Sequence, residues 1–346
     1  MIVAALWNVD FHKTDAYDHK MDSDRTNAKL RKIGILPIDG FALLSYASCA
    51  EPFRAANLLS KQPLYEVVNI STDGLPVQSS GSANITPQAK VGDALSLDWL
   101  FIVAGGNPTQ FRDNAVLSWL NRLARLGVQL GGVSGGPVIL ALAGLMKGRR
   151  MTVHWEHAAA LAEISPGLLL ERSLFVIDRD RVTCAGGTAA MDLMHSLISQ
   201  HHGNRFAHSV SDWFMHTDVR PSAGPQRGGL VERLGVTTAA ILDAVKAMES
   251  HVADPLTLSH LAESSGVSAR QLNRLFTEKL GRSTMGYYRD FRLEKAQNLL
   301  RNSPLSLTEI ALATGFSSSS HFSRTYSEKY GHPPSNHMMK PQTESY

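Results

Sequence analysis

Short apolar runs alternate with stretches of helical spacing between residues 32 and about 215. The runs are rich in branched and aromatic residues, as buried strands are: KIGILPI, LYEVVNIS, DWLFIVAGG and VQLGGV. Between the last two runs, NPTQFRDNAVLSWLNRLARLG predicts a helix in which Asn107 is the N-cap, Pro108 the first helical residue and Gly127 the end. This alternation predicts an α/β domain with a doubly wound, mostly parallel sheet.

Further along, LFVIDRDRVTCAGG predicts a hairpin, and TAAMDLMHSLISQHHG predicts a helix that Gly203 stops. Two glycine turns follow predicted strands, Gly105-Gly106-Asn107 and Ser134-Gly135-Gly136. Because ligands of parallel sheets bind beyond the carboxyl ends of the strands, both turns are candidate ligand contacts.

Composition shifts divide the chain. The segment DVRPSAGPQRGG is rich in proline and glycine, and after about Thr237 the pattern predicts helices only. We therefore predict a poorly ordered extension over 1–30, a ligand-sensing and dimerisation domain over 31–217, a linker over 218–237 and an all-α domain over 238–340.

Charge and cysteine content add modest constraints. The 346 residues carry a net charge of +3 and two cysteines, Cys49 and Cys184, too few for a disulfide framework or a thiolate metal site. The N-terminal run MIVAALWNVD has no preceding basic region and is too short to cross a bilayer. We expect a cytoplasmic protein with no membrane partner, no metal and no cofactor.

Two C-terminal segments, 256–281 and 305–331, share one plan: a short apolar helix, a glycine turn and a second helix. This is the layout of a helix-turn-helix. The segment 283–302 between them predicts an amphipathic helix about 27 Å long, close to the roughly 34 Å between successive major-groove turns. Between residues 265 and 330, ten basic side chains face five acidic ones, which favours phosphate contacts.

The outward faces of the two second helices are the candidate DNA contacts, because their polar side chains are of types that reach base edges and phosphates. They comprise Arg270, Asn273 and Arg274 in the first copy, and Ser319, Ser320, His321 and Arg324 in the second. The alternative is a solvated face on a helical protein-interaction module, which predicts no salt-dependent binding to duplex DNA.

The glycine turn at Ser134 fits the G-x-S-x-G pattern of a nucleophile elbow. A hydrolase would need His154 or His157 as base and Asp192 or Glu51 to orient it. The same turn can instead bind a carboxylate through the backbone N–H groups of a helix N-terminus. The ligand contacts expected in that case are Gly106, Asn107, Ser134, Gly135, Gly136, His154 and Trp155.

Trp155 has two interpretations. Its face can hold a quaternary ammonium or guanidinium group by cation–π attraction. Alternatively it is a core tryptophan beside a hydrogen-bonded His154.

Three C-terminal segments resemble the AraC-type DNA-binding domain. They are SARQLNRLFTEKLG, RLEKAQNLL and LTEIALATGFSSSSHFSRTYSEKYGHPP. Three segments of the N-terminal half resemble the sensor domain of GlxA-type regulators, which is related to class I glutamine amidotransferases. They are AEPFRAANLL, SGGPVILALAGLMKGRRMTVHW and CAGGTAAMDLM. The resemblance implies a flavodoxin-like sensor, a homodimer, and an effector such as arginine, carnitine or glycine betaine. The related enzymes carry a cysteine where this chain has Ser134, and their acidic partner has no clear match here, which implies a sensor without catalysis.

The sequence therefore predicts a non-enzymatic transcription regulator, more specifically an activator, that binds a double-stranded operator and meets RNA polymerase. Its effector is a small amino- or quaternary-ammonium carboxylate. The alternative is a Ser134-dependent hydrolase or amidase fused to a DNA-binding domain.

Overall fold

The computed structural model describes residues 29–338, and most of the predicted N-terminal extension lies outside them. The first domain begins with β1 (Arg31–Pro37), α1 (Leu43–Ser60), β2 (Tyr65–Ser71), β3 (Val77–Gln78), β4 (Asn84–Ile85), β5 (Ala89–Lys90) and β6 (Trp99–Ala104). It continues with α2 (Asn114–Arg125), β7 (Gln129–Ser134), α3 (Gly136–Leu142), β8 (Arg150–Met151), α4 (Trp155–Ile164) and β9 (Leu169–Leu170). It ends with β10 (Phe175–Asp178), β11 (Arg181–Cys184), α5 (Ala189–His202) and α6 (Asn204–Trp213).

Seven strands form one sheet in the order β10-β11-β7-β6-β1-β2-β5. All neighbouring pairs are parallel except β10 and β11, which form the predicted antiparallel hairpin. Apolar clusters cover both faces, one against α1, α5 and α6 and the other against α2 and α3. The prediction of a doubly wound, mostly parallel sheet is confirmed.

The helix predicted from Asn107 begins later than expected. Pro108–Gln110 forms a single 3-10 turn, and α2 starts after Asp113, whose carboxylate accepts hydrogen bonds from the N–H groups of Ala115 and Val116. Asp113 is therefore the N-cap, and the prediction that Asn107 caps this helix was wrong.

The second domain is helical throughout its described part: α8 (Ala239–Ser250), α9 (Leu258–Ser264), α10 (Ala269–Leu280), α11 (Thr284–Asn302), α12 (Leu307–Ala313) and α13 (Ser319–Tyr330). A short helix, α7 (Leu230–Leu234), lies inside the segment predicted as linker. Helices α9 and α10 form the first helix-turn-helix unit, and α12 and α13 form the second. Hydroxyl side chains cap all five helices from α9 to α13: Thr257, Ser268, Ser283, Ser306 and Ser318.

No helix within residues 29–338 combines the length and the apolar character that crossing a bilayer requires.

Candidate functional site: the elbow pocket and the recognition helices

The turn from β7 into α3 has the geometry of a nucleophile elbow. Ser134 ends β7 with φ of 60°, a left-handed conformation that is costly for a residue with a side chain. The glycines after it allow close packing: a Cβ on Gly136 would lie 2.0 Å from the carbonyl oxygen of Ile102. Gly135 donates its N–H to the carbonyl oxygen of Ala104 at 3.0 Å. Gly135 and Gly136 thus hold α3 against β6.

Ser134 opens into a cavity of about 360 Å³, here called the elbow pocket. Its lining includes three of the predicted ligand contacts, Gly106, Ser134 and His154, together with Gly105 of the first glycine turn and His157, the second base considered for a hydrolase. The sequence did not indicate the other lining residues, which are Ala42, Leu44, Ser45, Ser80, Glu156 and Gly187.

Three helices begin at the elbow pocket. Helix α1 follows Ala42 and α5 follows Thr188, and neither N-cap makes a side-chain capping hydrogen bond. Helix α4 follows His154, whose Nδ1 accepts the N–H of Glu156 at 3.4 Å. Helix N-termini attract anions, and the pocket lining includes neither lysine nor arginine. Attraction of an anion to the pocket therefore depends on backbone N–H groups, and Glu156 supplies one carboxylate.

His157 is buried beside the pocket with one ring nitrogen unsatisfied. Its side chain is 4% exposed, and its Nδ1 has no hydrogen-bond partner. Burial, with a smaller contribution from His154, lowers the pKa of His157 to about 4. Burial also lowers the pKa of His154, although Glu156 opposes this shift. Both rings are neutral near pH 7. Because buried polar atoms are nearly always hydrogen-bonded in proteins, the Nδ1 of His157 is a candidate contact for a polar ligand.

The groups proposed for catalysis are not assembled in a triad. Within residues 29–338, the Ser134 hydroxyl makes no hydrogen bond to a base. Asp192 is fully buried and accepts hydrogen bonds from His216 and Arg220, and Glu51 pairs with Arg54 on the surface of α1. The two acids considered as orienters therefore serve other partners.

Four predicted ligand contacts lie outside the pocket lining. Gly135 and Gly136 pack α3 against β6 instead, and Asn107 and Trp155 contact other parts of the chain. Asn107 donates from its amide to the carbonyl oxygen of Arg301 at 2.5 Å. The Trp155 ring, 45% exposed, is covered by the guanidinium of Arg227 at 4.6 Å from its centroid. The cation that the Trp155 face holds in this structure is a side chain of the same protein.

In the first unit, α10 exposes Arg270 and Arg274, and Arg274 lies 3.8 Å from Glu278. Asn273 is half-buried, because its side-chain oxygen accepts the N–H of Thr284 at the start of α11. Gln271 is also exposed on α10. The i, i+3, i+4 spacing grouped Asn273 with the two arginines, and the contact with α11 that turns it inward is not visible in that spacing.

In the second unit, α13 exposes Ser320, His321 and Arg324, whereas Ser319 is half-buried. The hydroxyl of Ser318 accepts the backbone N–H of His321, and Ser317 lies 3.4 Å from the His321 ring. The exposed side chains of α10 and α13 form two separate polar faces on one chain, joined by the 19 residues of α11.

Both domains of the chain match known protein families. Residues 31–200 match the model of the DJ-1/PfpI family, and residues 261–339 match a helix-turn-helix domain model. The HTH-type transcriptional regulator GlxA of Rhizobium meliloti (strain 1021) is 42% identical over 91% of this chain and 97% of its own. The HTH-type transcriptional regulator CdhR of Pseudomonas aeruginosa is 40% identical over 87% of this chain and 89% of its own.

A solved structure supports the fold of the first domain. A ThiJ/PfpI family protein from Pseudomonas syringae aligns with a TM-score of 0.51 at 23% identity, over 61% of this chain and 85% of its own.

Proposed function

The chain belongs to the GlxA-type transcriptional regulators of the AraC family, and on that premise we propose that it controls transcription in response to a small amino- or quaternary-ammonium carboxylate. The effector binds in the elbow pocket. The protein acts in the cytoplasm as a homodimer, binds an operator through α10 and α13, and activates transcription through RNA polymerase.

The observation that carries the effector class is the convergence of three helix N-termini on the elbow pocket. The first turn of α1, which no side chain caps, suits a carboxylate, and Glu156 suits an ammonium or guanidinium group. The unsatisfied Nδ1 of His157 supplies one further polar contact. Arginine, carnitine and glycine betaine all carry this pair of opposite charges.

A thermal-shift screen tests the effector class, because a ligand that binds only the folded state raises the melting temperature by mass action. The compounds are L-arginine, L-ornithine, L-carnitine, glycine betaine and choline. Choline is the matched control, since it keeps the quaternary ammonium of glycine betaine without the carboxylate. We expect at least one carboxylate to shift the melting temperature and choline to have no effect. Equal shifts by choline and glycine betaine contradict a carboxylate site.

Binding to duplex DNA selected from a random-sequence pool tests the second half of the proposal. We expect the dissociation constant to rise steeply with salt, because cations are released from the phosphates. Arg274→Ala should cost roughly 1–3 kcal/mol of binding free energy, whereas Arg125→Ala, an exposed arginine of the first domain, should cost nothing measurable. Absence of salt-dependent binding favours a helical protein-interaction module instead.

A second candidate function is that of a hydrolase or amidase. The observation that favours it is the left-handed backbone conformation of Ser134 at the elbow. This candidate predicts turnover of an amide or ester that Ser134→Ala abolishes. Its weakness is the missing contact between the Ser134 hydroxyl and a base. Turnover that survives in Ser134→Ala comes from another group or a contaminant and excludes this candidate.

A further inference from the structure

The first domain holds the second helix-turn-helix unit through a contact here called the interdomain seam. It consists of Asn107, Thr109, helix α4 and the C-terminal turn of α11. Asn107 donates to the carbonyl oxygen of Arg301, and the Thr109 hydroxyl donates to that of Asn302 at 2.8 Å. Helix-terminal carbonyls lack partners within their helix, so these side chains satisfy groups that would otherwise need water.

Helix α4 contributes the apolar part of the seam. Ala160 is fully buried, and it belongs to the apolar cluster of the second unit rather than to either cluster of its own domain. The cluster contains four residues of α11, Leu293, Ala296, Leu299 and Leu300, together with core residues of α12 and α13. The first domain therefore completes the core on which the second unit rests.

The elbow pocket and the seam lie on adjacent residues at two places. Gly106 lines the pocket, and Asn107 contacts α11. His154 lines the pocket and caps α4, the helix that carries Ala160. Asn107 and α4 therefore connect both of these pocket walls to the second unit.

The connecting segment is fixed at the same place. Gln226 donates to the carbonyl oxygen of Val153 at 3.1 Å, one residue before His154, and Arg227 covers Trp155. In this docked arrangement Arg270 and Arg274 of α10, and His321 and Arg324 of α13, remain exposed. The seam therefore leaves both recognition faces open to DNA.

We propose that the interdomain seam carries the effector signal: occupancy of the elbow pocket changes DNA affinity by moving Asn107 and α4 against the end of α11, and so reorienting the second unit relative to the first. The inference rests on the proposed function for the existence of an effector. An effector acts only through its different affinity for two arrangements, and the coupling is reciprocal.

The test compares DNA affinity with and without the effector probe in seam variants and matched controls. The probe is whichever of L-arginine, L-carnitine or glycine betaine shifts the melting temperature in the screen, and the DNA is the selected duplex. The seam variants are Thr109→Val, which removes one hydroxyl, and Ala160→Arg, which cannot be buried against α11. The controls are Ala159→Arg, exposed on the same helix, and Asn121→Ala, whose amide bonds Leu117 and Ala143 inside the first domain.

We expect the probe to change the DNA dissociation constant by about fivefold or more in the wild type and both controls, the lower range of ordinary coupling. In the seam variants the change should fall below about twofold, although calorimetry still detects binding of the probe. Seam variants that keep the full change overturn the proposal. If no probe binds, or no duplex is selected, the proposed function fails, and the seam is judged by the following measurement alone.

A distance measurement tests the seam without probe or DNA. Leu126 and Leu312 are 67% and 60% exposed in the two domains and can carry spin labels as cysteines, because both native thiols are buried. We expect one narrow distance distribution in the parent and in Ala159→Arg, and a broad one in Ala160→Arg. An equally narrow distribution in Ala160→Arg shows that α4 does not hold the second unit and overturns the proposal.

Discussion

At the scale of single residues, Gly136 is the position in the elbow that leaves the least room for a side chain. A Cβ there would collide with the backbone carbonyl of Ile102, which cannot move without disturbing β6. We expect Gly136→Ala to destabilise the first domain by about 1–3 kcal/mol, as overpacking of a core does. Urea unfolding measures the change. Gly167→Ala is the control, because a Cβ there meets nothing within 4 Å, and it should stay within about 0.5 kcal/mol of the wild type.

The buried His157 makes stability depend on pH. Its pKa of about 4 in the folded state lies below the unfolded value of about 6.5, so the unfolded chain binds more protons between these values. The stabilisation is complete above pH 6.5 and decreases as the pH falls towards 4, by about 3 kcal/mol at most. Urea unfolding at several pH values should give a flatter profile for His157→Gln than for His260→Gln, an exposed control. Identical slopes contradict the role given to His157.

At the scale of elements, the N-cap residues of the second domain determine where its helices α9 to α13 begin. Ser306 and Glu309 form a full capping box at α12, in which each side chain accepts the backbone N–H of the other. We expect Ser306→Ala to cost about 1 kcal/mol of unfolding free energy. Ser306→Thr keeps the hydroxyl and should recover most of it. A threonine variant as unstable as the alanine variant points to packing as the cause.

The start of α2 shows where local patterns stop being sufficient. Asn107-Pro108 and Asp113 are both helix-start signals, and the sequence alone favoured the first. In the folded chain Asn107 and Thr109 are bound to carbonyl groups nearly two hundred positions away, at the end of α11. These contacts hold residues 107–110 out of the helix and leave the cap to Asp113. A contact at such separation leaves no periodic trace in the sequence.

The residues that line the elbow pocket could likewise be predicted only in part from the sequence. Gly106, Ser134 and His154 could be predicted, because glycine turns and polar residues after apolar runs mark the carboxyl edge of a parallel sheet. Ser45, Glu156 and Gly187 could not, because the strand order that brings α1, α4 and α5 to one opening is a property of the whole domain. His157 was considered only as a catalytic base. Trp155 was grouped with His154 by sequence proximity, but as adjacent residues they point to different partners.

At the scale of the whole molecule, the connection between the domains is anchored to the first domain at two points. Near its start, Arg220 donates to the fully buried Asp192 through its backbone N–H, Nε and Nη2, and His216 donates to the same carboxylate. Near its middle, Gln226 donates to Thr152, Val153 and Ser173. A proline- and glycine-rich segment is thereby held against the first domain, and a fixed connection limits how far the second domain can turn.

The charge of Asp192 strengthens the first of these two anchors. Asp192→Asn keeps the shape of the side chain but removes the charge, and with it the charge-assisted hydrogen bonds, which are about twice as strong as neutral ones. Thermolysin, which cleaves on the N-terminal side of apolar residues, should then cut before Val219 roughly tenfold faster, because cleavage follows the population of the open segment when opening is rapid. Asp212→Asn, exposed on α6, should cleave at the wild-type rate. Equal rates in all three proteins would mean that Gln226 and Arg227 hold the connection without Asp192, and that the domains turn about the later anchor.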